Sequence, residues 1–266
     1  PGQRRPAPPG AGLMFGWLRR RQAPRPIPDA LWQDTLARYP FLGDRPAAEL
    51  EQLRALTAGF LATKEFHGAQ GFVITDEVAV DIAAQAVLPV LHLGLRWYDD
   101  FVGIVVHPDE VVARREFVDD AGVVHHYDEV LAGEAMEGGP VMLSWRDVVD
   151  AGTAAREGYN VVIHEFVHKL DMRDGEPDGC PPLPSAQARR DWLAVMQAEY
   201  DAFREQVIIA ERFGGEPPWM DAYGAQSIDE FFAVASEAYF VNRARFGAGH
   251  AGLLRLLDSF YKPLNT

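Results

Sequence analysis

The sequence predicts an α+β fold with a small mixed sheet placed in the middle of the chain. Apolar residues recur at helical spacing early in the sequence, β-branched runs bounded by turn residues follow, and long helical patterns fill the remainder.

Residues 1–12 are rich in Pro, Gly and Arg and have no apolar period, as expected of a disordered leader. Met14, followed by Phe15-Gly16-Trp17-Leu18 and three arginines, is a candidate natural start. With the Pro24–Pro28 linker this makes residues 1–28 a leader and residues 29–266 one domain. Its first part (29–150) holds helices and sheet, and its second (151–266) holds the site helix and the C-terminal helices.

A short helix is expected around Leu31–Tyr39. Ala47–Phe66 places Leu50, Leu53, Leu56, Phe60 and Leu61 at the spacing of a one-sided helix. Glu77–Leu91 reads as a more buried helix. The apolar stretch Val78–Leu95 contains Asp81, Gln85, Pro89 and His92, so it is not a membrane span. Phe101–Val106 is a β-branched run closed by His107-Pro108, a strand. Glu116–Val118 and Val123–His125 flank Asp119-Asp120-Ala121-Gly122 as a hairpin, and Pro140–Trp145 is a further strand. Helices are then expected over Tyr159–Asp171, Ala186–Phe203, Ile228–Val241 and Ala251–Tyr261.

The chain has 266 residues, 48% of them hydrophobic, which suffices for one substantial core. Its formal charge of −14, from 39 acidic and 25 basic residues, repels nucleic acid phosphates over most of the surface. Direct nucleic acid binding is therefore not expected, and a basic peptide or partner suits the charge better. Cys180 is the one cysteine, so no disulfide can form within the chain, and a reducing, cytoplasmic setting follows as the simpler expectation. It stands in the loop-like run Asp178-Gly179-Cys180-Pro181-Pro182 and is read as a passenger, not a nucleophile.

Chemistry concentrates in Asn160-Val161-Val162-Ile163-His164-Glu165-Phe166-Val167-His168-Lys169-Leu170-Asp171. In this His-Glu-x-x-His run the two histidines are four apart, on one helical face, where both imidazoles reach a single zinc ion. Glu165, turned by about 100° from His164, projects beside the metal as general base. Two ordinary histidines on a packed helix are the bland alternative. Against it, a chance match would usually fall on a polar exposed helix, whereas Val161, Val162, Ile163, Phe166, Val167 and Leu170 make this one strongly apolar.

A catalytic zinc needs a third protein ligand and an open position. The helix beginning at Ser227 offers Glu230 and Glu237, seven residues apart and near one face, and physical reasoning alone does not choose between them. Asp229 faces elsewhere. His125 and His126 are adjacent on a strand, point to opposite faces, and cannot chelate one ion together.

Three segments, His164-Glu165-Phe166-Val167-His168-Lys169-Leu170-Asp171, Asp221-Ala222-Tyr223, and Glu230 to Glu237, resemble the bacterial Mlc titration factor A proteins. These are gluzincin-like zinc peptidases related to the catalytic domain of anthrax lethal factor. Weaker similarity runs upstream through Leu88–Leu91 and Gly139–Trp145, so the resemblance covers the chain from about Leu50. It implies a zincin-like metallopeptidase fold with one zinc ion per chain, held by His164, His168 and Glu230. Glu165 is then the general base, Tyr223 the hydrogen-bond donor to the oxyanion, and Glu237 a nearby supporting acid. Asp171 is a candidate for orienting a ligand histidine, with an ordinary helix-end carboxylate as the alternative. The thermolysin-type acid four residues after the ligand is absent, since that position is Val234.

The expected activity is peptide hydrolysis, with an aminopeptidase among the candidate subtypes. By analogy with zincins, Val141–Leu143 is expected to be the sheet edge along the cleft, where an extended substrate adds as a strand. The resemblance also implies capture of a sugar-regulated transcriptional repressor. A zinc-stabilised regulatory binding protein with little hydrolysis is therefore the competing reading.

Overall fold

The computed structural model describes residues 23–118 and 124–263. Ile27, at the end of the expected linker, is buried in the core and accepts a hydrogen bond from Arg54 through its carbonyl. Helix α1 (Asp29–Arg38) leads through the single turn α2 (Pro40–Gly43) into α3 (Ala47–Leu61). The expected Ala47–Phe66 helix stops early. The Lys64 ammonium donates to the Tyr98 and Phe101 carbonyls, and the chain continues as strand β1 (Glu65–Gly68).

Helix α4 (Asp76–Ala86) begins at Thr75, whose hydroxyl accepts from Val78 N. It ends five residues before the expected Leu91, shortly ahead of Pro89, which has no N–H to continue the helical ladder. Its buried Asp81 is satisfied by Thr35 and Arg38 of α1, so a polar pair fixes the helix crossing.

Strand β2 (Gly103–His107) is followed by β3 (Val111–Val118) and β4 (Val124–Leu131), which form a separate antiparallel two-stranded sheet. The turn expected at Asp119–Gly122 lies outside the described residues. Strands β5 (Gly133–Ala135) and β6 (Val141–Ser144) complete a four-stranded sheet in the order β1-β2-β6-β5. The first three strands are parallel, and β5 is antiparallel to β6.

This order corrects one expectation: Val141–Leu143 is interior, and the edge strand beside it is Gly133–Ala135. The reason is visible in composition. Val141, Leu143 and Ser144 are all buried, so both faces of β6 are covered, as an inner strand requires. Short Gly133-Glu134-Ala135, with a charged centre, suits an edge.

Helix α5 (Trp145–Ala154) starts directly from β6, with Ser144 as its cap, and leads to α6 (Val161–Asp171). The rest is helical: α7 (Ala186–Phe213), α8 (Ile228–Val241), α9 (Arg243–Gly249) and α10 (Ala251–Tyr261). All eleven residues of α6 are buried. The helix packs against β5, β6, α4 and α8, and Phe166 enters a cluster with Phe60, Tyr98 and Phe101 at centroid distances of 5.6, 5.2 and 5.8 Å. The Tyr261 hydroxyl donates to Ser236 Oγ at 2.8 Å and fastens α10 to α8. Helix α8 is thereby clamped between α6 and the C-terminal helices. No helix among the described residues is long and apolar enough to cross a membrane.

Candidate metal centre

Asn160 starts α6 and knits three helices. Its side-chain oxygen accepts from Ile163 N at 2.8 Å, its amide donates to Gln85 Oε1 of α4 at 2.8 Å, and its backbone N–H donates to Glu237 of α8. This cap fixes the rotation of α6, which aims His164 and His168 at the first turn of α8. His164 Nε2 lies 2.9 Å from Glu230 Oε2, His168 Nε2 lies 3.2 Å from the same oxygen, and the two ring nitrogens are 3.1 Å apart.

Two imidazole nitrogens and one carboxylate oxygen thus converge on a point, and these three residues form a group able to hold a metal ion. Ligands about 2.0–2.1 Å from a tetrahedral ion stand about 3.3 Å from one another. The observed triangle is close to that size, and its nitrogen and carboxylate donors suit a divalent ion such as zinc.

The two acids of α8 use opposite nitrogens of one ring. Glu230 faces His164 Nε2, whereas Glu237 Oε1 accepts from Nδ1 at 2.7 Å. Burial opposes charge on His164, but Glu237 and Glu230 overcome it and hold the imidazole pKa well above its ordinary value. Burial would likewise raise Glu230, yet hydrogen bonds from both imidazoles hold it below the usual carboxylate range. Glu237 is raised by burial, with His164 and Asn160 N opposing.

Glu165 is buried beside the triangle and hydrogen-bonds none of its members directly. Burial pushes its pKa up to about 7, with the two histidines opposing and Glu230 and Glu237 adding to the rise. Edge strand β5 runs against it. A Cβ on Gly133 would stand 2.5 Å from Glu165 Oε1 and 2.6 Å from its Cγ, so this close approach requires glycine. Tyr223 comes from a short 3₁₀ turn (Ala222–Ala225) ordered by Asp221, and its ring centroid is 5.9 Å from that of His164.

Two cavities open on the centre. One of about 350 Å³ is lined by Gly133, Glu134, Ala135, His168, Tyr223 and Glu230, and one of about 230 Å³ by Gly133, Tyr159, Glu165, Asp221, Tyr223 and Glu237. A larger cavity of about 520 Å³, between Ile27, Leu31, Leu61 and Phe66, holds none of these groups.

The structure therefore brings His164, Glu165, His168, Tyr223 and Glu230 together. It does not bring Asp171 to a histidine. Asp171 accepts from the backbone N–H groups of Gly179 and Cys180, at 2.8 and 2.9 Å, and orders the loop after α6. Cys180 is buried, and its thiol is pushed up to about 11 by that burial, which agrees with a passenger role. Gly133 was not visible from sequence as part of the site, because a three-residue edge strand carries no periodic signal.

The sequence profile of the glucose-regulated metallo-peptidase M90 family matches residues 15–262. A protein named Mlc titration factor A from Serratia proteamaculans is 36% identical over 228 residues, covering 85% of this chain and 84% of that protein. The protein of the same name from Yersinia pestis is 33% identical over 231 residues, covering 85% and 82%. An uncharacterized protein of Synechocystis sp. is 34% identical over 247 residues, covering 92% and 88%. On the extent of these matches, the chain belongs to the glucose-regulated metallo-peptidase M90 family, together with the Mlc titration factor A proteins.

Proposed function

We propose that the protein is a zinc-dependent peptidase of zincin-like fold, with His164, His168 and Glu230 as ligands, Glu165 as general base and Tyr223 as oxyanion donor. The observation that carries this reading is the convergence of three donor atoms within bonding reach of one ion, next to a buried carboxylate. A bound zinc ion would supply Lewis acidity to the scissile carbonyl and to the attacking water. Glu165, buried beside the three donors, would take the proton of that water and pass it to the leaving amine. The Tyr223 phenol donates to the oxygen on which negative charge develops. Glu237 holds His164 through Nδ1 and so turns Nε2 toward Glu230 and His168, the usual arrangement of a carboxylate behind a ligand histidine. The outer edge of β5 offers backbone groups to an extended peptide.

Incubating a peptide library with the protein, with chelator, and after zinc is restored tests this reading. Cleavage lost on chelation and regained with zinc is expected, and the products separate an aminopeptidase from an endopeptidase. Cleavage indifferent to chelation, or none at all, refutes it.

The name carried by the Serratia and Yersinia relatives, Mlc titration factor A, favours a second reading, titration of a partner, for which the resemblance set out above implies a sugar-regulated transcriptional repressor. Repressor binding that persists in a zinc-loaded protein that cleaves nothing would favour it.

A further inference from the structure

We infer that Lys169 is a positioning residue for the reaction, acting through the β5–β6 hairpin that walls the cleft; this rests on the peptidase reading. Lys169 follows His168 directly on α6 and is fully buried. An ammonium in such a place is costly unless its donors are used, and a methionine would fill the same space without that penalty. Here it donates to the Met136 carbonyl and, at 3.0 Å, to the Gly139 carbonyl, and it stands 4.7 Å from the centre of the Phe101 ring.

Those two carbonyls belong to the turn that joins β5 to β6. The turn closes on itself through Gly139 N to Met136 O at 3.0 Å and Met136 N to Pro140 O at 3.3 Å, with Gly138 at φ +58°. Lys169 therefore pins the far end of the hairpin to the helix that carries His164, Glu165 and His168. At the near end, three residues before Met136, Gly133 packs on Glu165. One helix thus sets the spacing between the cleft's edge strand and the reacting groups, and the ammonium is its fastening. Loosening the fastening frees the strand on which substrate lies without touching a ligand.

The test compares wild-type protein with Lys169→Met and with Lys169→Gln, whose amide can still donate to one carbonyl. Zinc content, peptide hydrolysis kinetics and amide hydrogen exchange are measured on each. Expected are wild-type zinc content and KM raised by roughly tenfold in Lys169→Met, with kcat changed less than threefold. Exchange should be at least about tenfold faster across 133–141 and unchanged in 161–171. Lys169→Gln should fall between, and it carries the test if Lys169→Met does not fold. Hydrolysis with unaltered KM, or unchanged exchange in the hairpin, overturns the role of Lys169 alone. A wild-type protein that binds zinc but hydrolyses nothing overturns the peptidase reading, and the kinetic role falls with it.

Discussion

Gly133 gives the sharpest structural prediction. Replacing it by alanine puts a methyl group 2.5 Å from Glu165 Oε1 and 2.6 Å from Glu165 Cγ, where ordinary contact begins at 3.4 Å. The carboxylate must therefore withdraw by about 0.9 Å, the difference between 3.4 and 2.5 Å, or the strand must move by as much. A shift of about 1 Å in a reacting group costs on the order of a hundredfold in rate. The Gly133→Ala variant should thus lose about a hundredfold in kcat/KM, equivalent to about 2.7 kcal/mol of transition-state stabilisation. Overpacking should also lower stability by about 1–3 kcal/mol. None of the three candidate ligands is among the nearest atoms to the added methyl, so zinc content should not change. Stopped peptide cleavage assays, metal analysis and thermal melts on the same preparation read all three. Activity within threefold of wild type would refute the reasoning that Gly133 exists to admit Glu165.

The two acids of α8 should separate on metal analysis. Glu230→Ala is expected to lose stoichiometric zinc, whereas Glu237→Ala should keep it at saturation with affinity weakened by about 10–100-fold, as loss of a partner to a ligand histidine does. Tyr223→Phe should keep zinc and lower kcat by about 10²-fold, the effect of removing one oxyanion donor, as steady-state kinetics will show. Asp171 predicts a pH effect on stability. Burial raises its folded pKa to about 6 from an ordinary 3.8, only partly offset by the Gly179 and Cys180 N–H groups. A carboxyl raised in this way contributes stability below its unfolded pKa and loses it as pH climbs through the folded one. The stability of wild type relative to Asp171→Asn should therefore fall by roughly 2.4 kcal/mol between pH 4 and 7, measured by urea unfolding. No change across that range would show the carboxyl to be unperturbed.

Much of the helical half was legible in the sequence. Ile228–Val241 and Ala251–Tyr261 are helical over the residues their apolar periods indicate. Local pattern failed where non-local pairing decided the outcome. Glu65-Phe66 reads as the tail of a helix, yet Glu65–Gly68 becomes a strand because it pairs with Gly103–Val106, far along the chain. Trp145 reads as the end of a strand and instead opens α5, since Ser144 caps it. Helix α7 runs ten residues past the expected Phe203, to a left-handed Gly214. At the centre, spacing brought both Glu230 and Glu237 to one face but could not rank them. Their ranking depends on which nitrogen of the His164 ring each one meets, and that orientation is set by tertiary packing around Asn160.

In the proposed mechanism Glu165 acts on a water at an ion held by His164, His168 and Glu230. Glu165→Gln tests it most directly, because the amide preserves the shape and removes the base. Measured on one sample, one zinc ion per chain is expected, as in wild type, with peptide cleavage reduced by at least about 10²-fold. Full zinc content with undiminished cleavage would exclude Glu165 as the general base.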